Sequence, residues 1–436
     1  MGSAISSLPS ERSCWTRRYC SATTSRSSCE PSMSTSVAII GGGQGGASVA
    51  QALRNRGYAG GIHLFSAEDV LPYERPPLSK GMLCGGDAPT WVLPEEFYDT
   101  QRIELHLGSK VTDVRSAGVR HMVVVDGAPV LEVDEVVLAT GSVPRALRIP
   151  GTELRGVHAL SCVADLGALL DDLGAARRVV IGGGGFIGAE VASGLVEKGV
   201  EVVVVDPVAS PMAARTAAWV AHRLEQRHRK AGVRSLTGTV VEVRGRDRVE
   251  SVLTGDGHEL PCDVFLVAIG SRPATELAER MGLPCPDGVL CDDRGRTATR
   301  GVHAIGDVAS WLHPALGRTR IEHYRTAIDH ADVVAADIVG ADIPALRVPW
   351  FWTDQYEHRV EVAGRPSLAD QVVERPGASG ETALSLHLAD GRVVGVVGID
   401  VPRDVRTASR FIDNQDVVDP SVVADPTIDL RKAVMK

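Results

Sequence analysis

Two glycine-rich turns, each following a short apolar run and each opening a helical stretch, constrain this chain more than any other feature. The first lies in Ser36–Gln51, SVAIIGGGQGGASVAQ. Val37–Ile40 make an apolar run long enough for one buried parallel strand. Gly41, Gly43 and Gly46 follow at G-x-G-x-x-G spacing, with Gln44 and Gly45 between the last two, and helical character continues over Ala47–Leu53. In such a turn the first glycine permits a tight bend, the second lets backbone approach a pyrophosphate, and the third lets helix pack closely on strand. Free N–H groups and the positive end of the helix dipole then face the phosphates. A single glycine-rich turn also arises for purely structural reasons.

A second copy changes that balance. Arg178–Glu190 read RVVIGGGGFIGAE, with Gly183, Gly185 and Gly188 at the same spacing and Phe186 and Ile187 between. The strand Glu201–Val205 ends at Asp206, about 20 residues on, where a dinucleotide fold places the acid that receives ribose hydroxyls. A carboxylate there repels a 2′-phosphate, and Pro207 rather than an arginine follows it, so NADH is expected ahead of NADPH. Two fingerprints in one chain imply one flavin and one nicotinamide dinucleotide. The expected fold is α/β, with two Rossmann-like domains.

Composition narrows the class. At 436 residues the chain needs two to three domains. A net charge of −9 argues against non-specific nucleic-acid binding, and no apolar run approaches the roughly 18 residues of a membrane span. The eight cysteines, Cys14, Cys20, Cys29, Cys84, Cys162, Cys262, Cys285 and Cys291, form no C-x-x-C pair and no zinc-ligand spacing. Free thiols in a reducing cytoplasm and no metal are therefore expected. Residues 1–35 are rich in Ser and Arg without hydrophobic period. They read as a disordered stretch or an extension upstream of Met33, with a targeting peptide as the competing reading.

Between the fingerprints stands LPYERPPLSKGML, Leu71–Leu83, a proline-stiffened loop that delivers Arg75 and Lys80 to a fixed place. LPYERPPLSK resembles the motif of FAD-dependent, NADH-using ferredoxin and rubredoxin reductases. These are the oxygenase-coupled branch of the pyridine nucleotide-disulfide oxidoreductase superfamily. Further stretches match in order: VVLATGSVPR (Val136–Arg145), GFIGAE (Gly185–Glu190), DVFLVAIGSR (Asp263–Arg272) and GVHAIGDVAS (Gly301–Ser310). The resemblance runs from Ser36 to near the C-terminus.

The resemblance implies roles residue by residue. Lys80 lies beside the flavin ring, Glu190 pairs with it and approaches the nicotinamide, and Trp352 packs on the flavin face; these are the expected catalytic residues. Arg75 helps bind FAD, the backbone at Val111 touches the adenine, and Asp307 after Gly306 lies opposite the ribitol. Thr140, Gly141 and Arg145, with Gly270, line the two crossings between domains, and Tyr324 lies against the flavin pyrimidine. Two departures stand out. The family's ribose acid falls one residue before Glu68, at Ala67, so Glu68 is expected to substitute. Its Leu-Arg-Thr is here Leu160-Ser161-Cys162. The expected division is residues 36–145 and 270–346 for FAD, 146–269 for NAD, and 347–436 for a small α/β reductase domain.

The disulfide-reducing relatives carry a redox cysteine pair that this chain lacks, so electrons pass from flavin to acceptor directly. The expected function is transfer from NADH through non-covalent FAD to a ferredoxin or rubredoxin serving a Rieske oxygenase or cytochrome P450. The expected state is a monomer or weak homodimer. Two other readings stay open: an NADH oxidase or peroxidase acting through Cys84, and a redox-sensing flavoprotein resembling apoptosis-inducing factor.

Overall fold

The computed structural model describes residues 35–213, 215–314 and 316–435. The expectations for the N-terminal stretch up to residue 34 lie outside the described residues.

Two five-stranded parallel sheets repeat one plan. In the first, the strand order is 302–304, 135–138, 36–40, 61–65 and 103–106. In the second it is 234–237, 201–206, 178–182, 264–267 and 157–158. Both central strands are Val/Ile-rich and almost wholly buried, as parallel strands covered on both faces must be. Each ends in its glycine turn and feeds a helix, Gln44–Asn55 in the first sheet and Phe186–Glu197 in the second.

The first sheet is assembled from both sides of the second in sequence, since Val302–Ala304 joins it beside Glu135–Leu138. The chain therefore crosses between the sheets twice. The crossing segments Ser142–Pro144 and Ser271–Pro273 pair with each other, antiparallel. Arg145 N donates to Gly270 O (2.9 Å) and Thr140 Oγ1 to Ala274 O (2.8 Å), which ties one crossing to the other.

The C-terminal part is a five-stranded antiparallel sheet, ordered 350–355, 358–364, 392–399, 382–389 and 371–376, with helix Pro402–Asn414 against it. Val405, Ala408, Phe411 and Ile412 bury one stripe of that helix, the i, i+3, i+4 spacing of an amphipathic helix.

Two apolar clusters span domain boundaries and so fix the site. Tyr73, Leu78, Met82 and Leu83, from the proline-rich loop, pack with Ile181, Val191 and Leu195 of the second parallel domain. Val360, Val362 and Val397 of the C-terminal sheet pack on Met212, Val220 and Leu224. The loop bearing Lys80 and the strand bearing Trp352 are thereby both seated on the second domain.

Candidate active site

The two glycine turns are near-duplicates in atomic detail. Gly41 and Gly183 adopt φ of +127° and +109°, which favour glycine. A Cβ on Gly41 would fall 2.1 Å from Ala139 O, and one on Gly183 would fall 2.3 Å from Ala268 O. The third glycines are equally constrained, because a Cβ on Gly46 or Gly188 would lie 2.0 Å from the carbonyl of the first glycine. The middle glycines differ. Gly43 would meet nothing nearer than Arg75 Nε at 4.0 Å, and Gly185 nothing within 4 Å. Protein atoms thus close on the first and third glycines and leave the second facing open space. Both helices start without a side-chain cap and without an acidic residue in the first turn. These are the features a pyrophosphate requires. The residues present fit one dinucleotide at each turn.

Between the turns, the proline-rich loop forms a 3-10 turn, Pro76–Ser79, then a short helix, Gly81–Gly85, with Lys80 at the junction. Leu78, Ser79, Met82 and Leu83 are buried on either side of Lys80 and anchor the junction that carries it. Lys80 Nζ lies 2.7 Å from Glu190 Oε1, with the Lys80 side chain 20% exposed and that of Glu190 4%. Glu190 is therefore not a surface acid at a helix start. Its second oxygen accepts a hydrogen bond from Ser79 Oγ, and Thr353 Oγ1 donates to Oε1 at 2.6 Å. Gln355 Nε2 donates in turn to Thr353 Oγ1 at 3.2 Å. Ser79 and Thr353 escaped the sequence reading. They flank its motif residues, but a hydroxyl beside Lys80 or Trp352 signals nothing until the domains are assembled.

Trp352 stands over this pair. Lys80 Nζ is 6.0 Å from its ring centroid, Arg359 lies over it at 5.1 Å, and Trp350 stacks at 5.1 Å. Its indole N–H donates to Asp354 Oδ2 at 2.8 Å, and Tyr324 meets it edge-on at 6.0 Å. Tyr324 opens helix Tyr324–Val339, and its hydroxyl donates to Glu74 Oε1 at 2.9 Å. The aromatic run Trp350–Tyr356 is thus partly a site wall, with two side chains spent on packing elsewhere, Phe351 against Phe186 and Tyr356 against His228 and Arg227.

The remaining expected ligands fall around the first turn. Ser142 Oγ donates to Asp307 Oδ2 at 2.9 Å. Burial pushes the Asp307 carboxyl up to about 6, against the Ser142 hydrogen bond and the charges of Arg320 and Arg75. Gly306, at φ +67°, donates its N–H to His330 Nδ1 at 3.3 Å. Val111 is buried at the start of strand Val111–Ala117. Gly141 and Gly270 sit at φ +69° and +96°, where the crossings turn.

Glu68 has another engagement. Its carboxylate accepts from Tyr73 OH at 2.7 Å and pairs with Arg75 at 2.6 Å. Arg75 also donates to Ser161 O, within the Leu160-Ser161-Cys162 stretch, and Tyr73 OH accepts from Val163 N at 2.9 Å. The motif arginine is thereby clamped between the first domain and the entry to the second.

In the second domain, Asp206 is held by backbone. Gly184 N donates to Oδ2 and Val208 N to Oδ1, both at 2.8 Å. The carboxylate is fixed beside the glycine turn with lone pairs left on each oxygen. Cys84 packs against the second fingerprint helix, where a Cβ on Gly194 would lie 2.1 Å from its Sγ. Burial pushes its thiol up and Lys198 only partly opposes this, the reverse of what a thiolate nucleophile needs.

The chain matches the pyridine nucleotide-disulphide oxidoreductase family over residues 35–331 and the reductase C-terminal family over 350–434. It is 38% identical to the ferredoxin reductase component of chlorobenzene dioxygenase from Cupriavidus sp. (strain PS12), across 92% of this chain and 98% of that protein. It is 35% identical to the ferredoxin–NAD(+) reductase subunit of the benzene 1,2-dioxygenase system of Pseudomonas putida, with the same coverage. Among solved structures, the covalent putidaredoxin reductase–putidaredoxin complex superposes with a TM-score of 0.87 at 29% identity, covering 92% of this chain and 98% of that one. The chain belongs to the pyridine nucleotide-disulphide oxidoreductase family, in its ferredoxin–NAD(+) reductase branch.

Proposed function

We propose, from membership of that branch, that this chain carries electrons from NADH through FAD to a ferredoxin or rubredoxin that feeds a Rieske oxygenase or cytochrome P450. The observation that supports the reading is the pair of open glycine cradles, with Lys80 of the proline-rich loop paired to the buried Glu190 of the second fingerprint helix. When bound, FAD supplies the chemistry: it accepts a hydride from NADH and passes electrons on singly.

The chain's own residues bind, orient and set charge. The first turn, with Arg75 and Asp307, holds FAD; the second, with Asp206, holds NADH. Lys80 places a cation where negative charge builds on reduction. Glu190, held by Ser79 and Thr353, aims that cation. Trp352 and Tyr324 wall the site and exclude water. Glu68 acts through Arg75, positioning the guanidinium. Among the described residues no helix is long and apolar enough to cross a membrane. We read the protein as a cytoplasmic monomer or weak homodimer.

Steady-state NADH oxidation by the FAD-loaded protein, with a panel of [2Fe–2S] ferredoxins and rubredoxins, tests the reading. Fast turnover with at least one acceptor and slow oxidation without it is expected. Rapid oxidase activity with no dependence on any acceptor overturns it.

A further inference from the structure

The outer edge of the first parallel sheet gathers three metal-ligating side chains away from the site described above. His63 lies on strand Gly61–Phe65; Glu104 and His106 lie on the neighbouring edge strand Ile103–His106. The parallel register sets His63 opposite Glu104 and Phe65 opposite His106. Alternation along a strand sends residues two apart to the same face, so His63, Glu104, Phe65 and His106 share one side of the sheet.

His63 Nδ1 is 3.2 Å from Glu104 Oε2 and 3.4 Å from His106 Nε2, and the three ligand atoms all lie within 4.8 Å of one another. Ligands bound to zinc at about 2.0–2.2 Å in a tetrahedron stand roughly 3.3–3.5 Å apart. The two short separations match the edges of such a polyhedron.

Both rings are held in place. Phe65 stacks on His106 at 4.3 Å with planes 10° apart, and the His63 ring stacks on it at 5.7 Å. Glu104 is exposed, so its carboxylate can swing to an ion at little cost.

We infer that His63 Nδ1, Glu104 and His106 Nε2 form a binding site for one divalent transition-metal ion of the zinc class, with water completing the shell. Two histidines and one carboxylate suit zinc, and they exclude magnesium and calcium, which prefer all-oxygen shells. The ion would pin an edge strand to its neighbour. The same edge is tied to the turn that leads to Glu68, since Ser66 N, two residues before it, donates to His106 O (3.0 Å).

Zinc binding to the full-length, FAD-loaded protein, measured by competition with a chromophoric chelator, tests this. The full chain also holds Cys14, Cys20 and Cys29, so the readout is the difference between the native sequence and variants. Glu104→Gln, at an exposed position, and His106→Asn are each expected to remove one zinc equivalent or weaken it at least tenfold. NADH oxidation by Glu104→Gln without zinc should be unchanged. In crystals grown with zinc, an anomalous peak at the zinc edge should lie between the three side chains. Equal zinc stoichiometry and affinity in the native sequence and in Glu104→Gln, with no peak at this place, overturns the site. Because Glu104→Gln leaves the packed rings intact, misfolding of the histidine variant cannot decide the outcome.

Discussion

Thr353 Oγ1 donates a 2.6 Å hydrogen bond to Glu190 Oε1 across 163 residues of sequence. It brings a strand of the C-terminal sheet to the second fingerprint helix, at the carboxylate that pairs with Lys80. Hydrogen bonds to a charged acceptor contribute about 1.5–3 kcal/mol, and a buried acceptor that loses one bears the desolvation cost as well. Thr353→Val keeps the shape and deletes the donor. It is expected to slow flavin reduction by NADH roughly tenfold or more with FAD still bound, read by stopped-flow absorbance. An unchanged rate would show that Glu190 does not depend on this tether.

Lys80 and Glu190 should behave as one unit. Glu190 is buried while Lys80 is partly exposed, so removing the lysine leaves a buried carboxylate without its cation, and removing the glutamate leaves the cation unaimed. Lys80→Ala and Glu190→Ala should each slow flavin reduction, and the double variant should be slowed by much less than the product of the two. A coupling energy above about 0.5 kcal/mol in the double-mutant cycle is expected; additivity within that margin would sink the unit.

The two kinds of fingerprint glycine separate folding from binding. Gly46→Ala drives a Cβ to 2.0 Å from Gly41 O, so it should lower the melting temperature of the apoprotein and reduce soluble yield. Gly43→Ala meets no protein atom nearer than 4.0 Å, and its φ of −96° suits any residue. That variant should fold as stably as the native apoprotein and lose FAD affinity at least tenfold, measured by fluorescence titration. Normal FAD affinity in Gly43→Ala would place the pyrophosphate elsewhere.

Asp206, pinned by two backbone N–H groups, cannot swing away from a 2′-phosphate. Two charges a few ångströms apart repel by about 1–4 kcal/mol at effective dielectrics of 80 to 20. NADH should therefore exceed NADPH in kcat/KM by roughly fivefold to several-hundredfold. Asp206→Ala should narrow the ratio chiefly by improving NADPH. A native enzyme indifferent to the two coenzymes refutes the assignment.

Asp307 carries a pH signature. Burial raises its carboxyl from 3.8 to about 6 in the folded protein, so the folded state binds the proton more tightly than the unfolded chain does. The resulting stability is fully present below about pH 4 and is lost as pH rises through 6. About 2 pKa units correspond to at most about 3 kcal/mol. Between pH 4.5 and 7 the FAD-free protein should lose stability through this group, and Asp307→Asn should flatten that component in urea titrations. An identical pH profile for the two proteins would remove Asp307 as its source.

Much of this molecule is written locally. A Val/Ile run, three glycines and a helix are contiguous, and their steric logic needs no distant partner. Gly41 through Gly46 and Gly183 through Gly188 therefore announce both glycine cradles from the chain alone, and the spacing of Asp206 puts its carboxylate beside the second, where Gly184 N holds it. The positions of Lys80 and Trp352 were singled out for another reason: Lys80 stands in a stretch that resembles a family motif, and Trp352 takes its expected role from the resemblance of the whole chain.

Only the tertiary structure decided what those residues touch. Glu68 has the spacing of a ribose acid, but Arg75 and Tyr73 lie within hydrogen-bond reach and hold its carboxylate. Ser79 and Thr353 became partners of Glu190 because apolar clusters seat the proline-rich loop and the C-terminal sheet on the same domain. Parallel register brings His63 beside Glu104 and His106, from which no short spacing in sequence connects it. Backbone conformation is a local property and is readable in sequence. The partners of a charged or polar side chain follow from burial and domain packing, which are collective.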